Sequence, residues 1–173
     1  MRSICIFILV LFSDISEAQI KKTYENKSPN FSVKYPDDWK NKVKEGGRVF
    51  FTSPVESDQD TFSENINIGY RLNKDKSNIA DLGNQYESLV EYIKPSFNDF
   101  KLISHEVLKV NNEKVLELAY EGKLKSQETI LLHFTQRFSF NNGYLFTLTL
   151  TELAGVNKWH TKAVEIMNSL KFN

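Results

Sequence analysis

The stretch HFTQRFSFNNGYLFTLTLT, residues 133–151, decides the fold. On either side of Asn141-Asn142-Gly143, apolar and polar side chains alternate with the period of two that marks a strand. Asn and Gly tolerate the positive φ of a tight hairpin, so the two halves read as adjacent antiparallel strands. Loop length then sets the rest, because a slip of one residue turns a strand's side chains to the opposite face. A two-residue Asn142-Gly143 loop sets the phenylalanines of the first strand opposite the threonines of the second. A three-residue loop with Gly143 in a bulge sets Phe138 opposite Phe146 and Phe134 opposite Leu150. The three-residue loop gathers the apolar residues on one face and is the one expected.

Upstream, residues 101–110 and 113–124 form a second hairpin about Asn111-Asn112, with Val107 opposite Leu116, His105 opposite Leu118 and Ile103 opposite Tyr120. Further strands are expected at 31–35, 48–53 and 65–72, the last with every second side chain apolar. The period then becomes helical. Ile79, Leu82, Tyr86, Leu89 or Val90, and Ile93 predict a helix over about 78–94, capped by Ser77 or Asn78 and stopped by Pro95. Val156, Trp159, Ala163, Ile166 or Met167, and Leu170 predict another over about 156–170. The class is α+β. One continuous apolar face is expected, from Ile103 and Val107 through Leu116, Leu118 and Phe134 to Phe146, Leu148 and Leu150. Helices must cover it, since apolar area left in water costs about 25 cal/mol per Å².

Residues 1–18 carry Arg2, an apolar run from Ile4 to Phe12 and a small-x-small Ser16-Glu17-Ala18 end. This pattern predicts a secretory signal peptide cleaved after Ala18, with an uncleaved N-terminal anchor as the alternative. The run is too short to span a bilayer, and no transmembrane segment follows it. The single cysteine, Cys5, lies inside this leader without a lipobox around it, so no lipoprotein anchor, disulfide or thiolate chemistry is expected of the mature chain. Residues 19–30, QIKKTYENKSPN, are polar and patternless and read as a flexible or exposed leading segment, leaving 31–173 as one domain. Lys+Arg and Asp+Glu balance at 22 each. With neither a basic stripe nor a glycine-rich phosphate loop, nucleic-acid and nucleotide roles have no support.

FSVKYPDDWK, 31–40, is a strand that meets Pro36 and turns. Proline cannot donate to the ladder, Asp37 and Asp38 suit a turn, and Trp39 folds back over the strand.

Three groups of residues are candidates for chemistry. His133, Thr135 and Arg137 are expected to share a mixed sheet face with Thr147, Thr149 and Thr151, where Arg and His beside hydroxyls can hold a small anion or a peptide carboxylate. A plain solvent-facing sheet, or a sheet partly covered by a helix, is the other reading of that face. The acidic stretch 56–64 offers Asp58, Asp60 and Glu64 as oxygen ligands for calcium, although it lacks a calcium loop's glycine and spacing. His105 reads as a core or edge histidine and His160 as a helix flank, and the three histidines show no zinc spacing. No serine is identifiable from the sequence as having a histidine and an acid within reach to activate it, so an enzyme is not expected.

Phe31-x-Val33-x-Tyr35-Pro36-x-x-Trp39, Ser53-Pro54, Glu64-Asn65-Ile66-Asn67-Ile68, Asn142 to Thr149, and Ala163-x-x-Ile166-x-x-Ser169-Leu170-Lys171-Phe172 together resemble the PsbP family, in the expected order. That resemblance implies the Mog1/PsbP fold: an antiparallel sheet of about six or seven strands sandwiched by helices, with a non-enzymatic binding or assembly role. Photosynthetic members bind calcium or manganese and dock on a membrane complex, so either ion is possible here by resemblance. Bacterial relatives include secreted proteins, envelope lipoproteins and cytosolic chaperones. The leader argues against the chaperones and the missing lipobox against the lipoproteins. The expected protein is a secreted or periplasmic binding module whose partner is another envelope or extracellular protein. A calcium- or manganese-binding extrinsic protein and a small hydrolase using His133 are the alternatives.

Overall fold

The computed structural model describes residues 20–173 apart from 56, 59, 61, 75–77 and 85. The expected signal peptide lies outside them. The elements run β1 (Ile20–Lys27), β2 (Asn30–Pro36), β3 (Lys40–Val43), β4 (Val49–Thr52), β5 (Asn65–Leu72), α1 (Ile79–Asn84) and α2 (Tyr86–Ile93). They continue with β6 (Phe97–Val110), β7 (Glu113–Leu124), β8 (Leu132–Asn141), β9 (Tyr144–Leu153), α3 (His160–Asn168) and β10 (Lys171–Phe172). Seven strands pair antiparallel in the order β3-β4-β5-β9-β8-β7-β6, and a second sheet has the order β1-β2-β10.

The β8–β9 turn has two residues. Asn142 and Gly143 both take positive φ, 47° and 78°, as a type I′ hairpin requires. Asn141 therefore pairs with Tyr144, Phe138 with Thr147 and Phe134 with Thr151. The expected three-residue loop is corrected, and with it the single apolar face. Leu116, Tyr120, Phe134 and Phe138 are buried on one face of the large sheet, while Ile66, Ile68, Phe146, Leu148 and Leu150 are buried on the other. The apolar stripe changes sides between β8 and β9. Each face consequently needs its own cover.

On the first face α1 and α2 supply Ile79, Leu82, Tyr86, Leu89 and Ile93. Asn78 caps α1 through its Oδ1, which accepts the amides of Ala80 and Asp81 at 2.9 and 3.2 Å. On the second face α3 supplies Ala163, Ile166 and Met167, and the small sheet supplies Phe31, Val33 and Tyr35. The seven strands match the expected sheet, but one of its two covers is largely a sheet of three strands where helices alone were expected.

Two local expectations change as well. Residues 20–27, assigned to the flexible leading segment, form β1 and pair along β2 from Ile20↔Pro36 to Lys27↔Asn30. The backbone ladder needs no apolar pattern, and Tyr24 anchors the strand, with its ring 6.1 Å from those of both Phe31 and Phe51. The β6–β7 hairpin keeps the Asn111-Asn112 turn, Val107↔Leu116 and His105↔Leu118. A bulge between Leu102 and Ser104 then sets Leu102, not Ile103, opposite Tyr120. Ile103 and Val107 stay half exposed on this edge strand. The Pro36–Trp39 turn forms as read: the Trp39 amide donates to the Pro36 carbonyl at 3.2 Å, and the indole is buried edge-on against Trp159 at 6.2 Å.

Tyr120 lies in the first core, stacked on Phe134 at 5.0 Å, and burial pushes its phenol well above the ordinary range. A folded-state value above the unfolded one means stability is intact below about pH 10 and is lost as pH rises beyond it, where only the unfolded chain ionises freely. Denaturant midpoints taken between about pH 9 and 11.5 are expected to fall, and Tyr120→Phe is expected to flatten the fall. An identical slope in Tyr120→Phe would contradict this placement of the phenol.

Candidate functional site

The register splits the expected five-residue site between two faces. Thr135 pairs with Leu150 and Arg137 with Leu148, so His133, Thr135 and Arg137 look toward α3 and the second core. Thr147 and Thr149 point through the other side, toward α2. Arg137 is buried: its Nε donates to Glu117 Oε2 at 2.6 Å and its Nη1 to Asn168 Oδ1 at 2.7 Å, tying β8 to β7 and to the end of α3. Thr135 is buried beside it. His133 Nδ1 lies 3.5 Å from Glu121 Oε1. Among the described residues no serine or threonine hydroxyl is hydrogen-bonded to a histidine. Arg137 and Thr135 thus form a polar joint against the end of α3, with only a small hollow of about 30 Å³ beside Arg137, and His133 stays half-buried.

The acidic stretch distributes its carboxylates to separate tasks. Glu64 is buried and its Oε2 accepts the Ser53 hydroxyl at 3.0 Å. Asp60 Oδ1 accepts the Phe62 amide at 3.1 Å, and Asp58 is exposed. Among the described residues no three His, Cys, Asp or Glu side chains stand in metal-holding geometry. The remaining histidines also have local partners. His105 stacks on Tyr86 with ring centroids 3.6 Å apart, and His160 Nδ1 lies 2.8 Å from Oε2 of the buried Glu152.

One open concavity lies on the other face, where the stripe's change of side leaves β9, β5 and β4 with polar residues; another, of about 560 Å³, lies between the Asn111-Asn112 and Asn141-Asn142 turns and residues 170–173. Two adjoining hollows of about 510 and 480 Å³ share Arg71, Tyr92, Gln136, Leu145 and Thr147 and form one groove between β5 and the last turn of α2. Its floor is set by pairing: Asn67 stands opposite Thr149, Gly69 opposite Thr147 and Arg71 opposite Leu145. Gln136 Nε2 donates to Thr149 Oγ1 at 3.0 Å, which fixes both side chains. Arg48 enters from the residue before β4 and lies across Gly69, where a Cβ would stand 3.8 Å from its Nε. Tyr92, 84 % exposed, forms the rim.

Among the described residues, two guanidiniums line this groove and no acid does. Among the described residues neither Arg48 nor Arg71 has an acidic partner. Thr147 and Thr149 of the expected site lie beside Arg48 and Arg71, and Arg137 lies on the opposite face. The alternation Asn65-Ile66-Asn67-Ile68-Gly69-Tyr70-Arg71 already put Asn67, Gly69 and Arg71 on one side of a strand. What it lacked was the pairing of β5 with β9.

The model of the PsbP family matches residues 20–172. Among solved structures, the chain is similar to cyanobacterial PsbP from Synechocystis sp. PCC 6803, at 18% identity and TM-score 0.61, over 88% of this chain and 92% of that one. The Ran-binding protein Mog1p of Saccharomyces cerevisiae is similar at 8% identity and TM-score 0.56, over 87% and 94%. LpqN of Mycobacterium tuberculosis, involved in cell envelope biogenesis, is similar at 12% identity and TM-score 0.56, over 80% and 79%. At these identities the likenesses concern the fold. No curated protein matches the chain in sequence.

The arginines of the two faces are expected to behave oppositely. Arg137→Ala leaves Glu117 without its partner in a largely buried setting and is expected to cost about 3–5 kcal/mol. Arg48→Gln and Arg71→Gln, at exposed sites, are expected to stay within about 0.5 kcal/mol of the parent. Urea denaturation of the three variants checks this, and a neutral Arg137→Ala would contradict the polar joint.

Proposed function

The chain belongs to the PsbP family, and we propose that it is a non-enzymatic binding module that docks on another envelope or extracellular protein through the groove beside α2. The observation that carries this reading is the groove itself: an open, preformed concavity with two uncompensated arginines, fixed hydroxyl and amide groups and an exposed tyrosine at its rim. Aromatic and arginine side chains are the residue types that anchor protein contacts. The Ran-binding Mog1p and the envelope-biogenesis protein LpqN share this fold, which is compatible with a protein-binding role but does not pass their partners on.

The leader places the module outside the cytoplasm in this reading, with cleavage after Ala18. Among the described residues no helix is long and apolar enough to cross a membrane. The intact mass of protein recovered from periplasm or medium is expected to correspond to a chain starting at Gln19. A mass retaining residues 1–18 would sink the cleaved-leader part of the proposal.

Docking is tested by site-specific photocrosslinking in the source cells. A photoreactive phenylalanine analogue replacing Tyr92 is expected to trap one discrete protein adduct, while the same probe at Glu25, exposed on β1, is not. Equal adduct patterns from both positions, or none from Tyr92, would contradict docking through the groove.

A further inference from the structure

Resting on the docking reading, we infer that Arg48 and Arg71 form a carboxylate-reading pair, and that the segment the groove takes is an extended acidic stretch of a protein. Among the described residues the groove presents two guanidiniums and no acid, so its own charge is complementary to an anion. The planar fork of a guanidinium matches a carboxylate in a bidentate, charge-assisted hydrogen bond.

Spacing selects the form of the anion. Arg48 lies across Gly69, and Arg71 follows Gly69 by two positions on the same face of β5. Two residues of strand span about 7 Å, which is also the distance between alternate side chains of an extended peptide. A segment lying along β5 with Asp or Glu at every second position therefore meets both arginines at once. The Thr147 hydroxyl, opposite Gly69, is placed to bond its backbone, the Asn67 amide already donating to the Thr149 carbonyl at 3.4 Å, and Tyr92 offers apolar contact to the residues between. Lys44 adds a third cation on this side, its Nζ 4.3 Å above the ring of Phe50, which pairs with Asn67. Gly69 keeps the channel between the arginines open, because any side chain there would rise toward the Arg48 guanidinium.

The test titrates the isotopically labelled protein, at low ionic strength, with four probes: an acetylated and amidated hexaglutamate peptide, the matching hexaglutamine peptide, inorganic phosphate, and vesicles containing phosphatidylserine. Hexaglutamate is expected to shift the amides of Gly69 and Thr147 and the Nε resonances of Arg48 and Arg71, and to lose hold as salt screens the charges. Arg71→Gln and Arg48→Gln are each expected to weaken it about tenfold, the scale of one charged hydrogen bond. Gly69→Val, which suits a strand, is expected to block the peptide while leaving the unfolding midpoint unchanged or higher. Lys162→Gln, a surface charge on α3, is expected to change nothing. Absence of hexaglutamate binding overturns the inference, as does equal weakening by Lys162→Gln. Equal affinity for phosphate reassigns the pair to a small oxyanion, and preferential vesicle binding reassigns it to lipid headgroups; either outcome also overturns it. A Tyr92 crosslink that persists in Arg48→Gln/Arg71→Gln leaves docking standing and removes the acidic partner. Peptide binding without any crosslinked partner does the reverse.

Discussion

A turn of two residues governs this molecule. Asn142 and Gly143, both at positive φ, close the β8–β9 hairpin so that Phe138 faces Thr147 and Phe134 faces Thr151. One more residue in that loop would have stacked every phenylalanine of β8 on the apolar side chains of β9. Instead, the apolar stripe passes from one face of the seven-stranded sheet to the other at the β8–β9 boundary. Two half-cores follow from this, and two separate covers. The helical pair α1 and α2 closes one, and α3 with the three-stranded sheet closes the other. Each face also keeps a polar half, and the fate of those halves decides where a ligand can go.

The two polar halves share residue types and differ in what lies above them. On the α3 side, Arg137 meets Glu117 at 2.6 Å and Asn168 at 2.7 Å and becomes part of the scaffold. On the α2 side, the helix stops short of β5, and Arg48 and Arg71 are left facing a hollow. Chemistry alone does not separate a structural arginine from a binding one; cover and charge balance do. A buried arginine must be compensated within the chain, whereas an exposed one in a concave, acid-free setting is compensated from outside.

Much of the fold was legible beforehand, for physical reasons that can be named. Alternation located β2, β4, β5 and β7, helical spacing located the α1–α2 region as one helix where the structure has two and α3 with its start set about four residues early, and the Asn111-Asn112 pair set the β6–β7 register as far as His105. The order of the motifs carried the family. Three things escaped. The register of 133–151 was ambiguous because both loop lengths suit Asn-Asn-Gly, and preference for a one-sided sheet chose wrongly. β1 escaped because an edge strand held by its backbone and Tyr24 shows no periodicity. The Leu102–Ser104 bulge escaped because it is a backbone event that local side chains do not announce. The site was half legible: Thr147 and Thr149 were visible as a polar row, but Arg48, Arg71 and Tyr92 belong to three other segments. They meet only through pairings such as Asn65↔Thr151, far apart in the chain.

The pairing of β8 with β9 is the most direct point of attack on this account, since both cores and the groove depend on it. Cross-strand nuclear Overhauser contacts between α-protons of the folded protein read it out without any substitution. Contacts joining Phe138 to Thr147 and Gln136 to Thr149 are the result the two-faced sheet requires. Contacts joining Arg137 to Thr147 and Thr135 to Thr149 would show the longer loop, return the threonines to the side of Arg137, and contradict the groove as an open face.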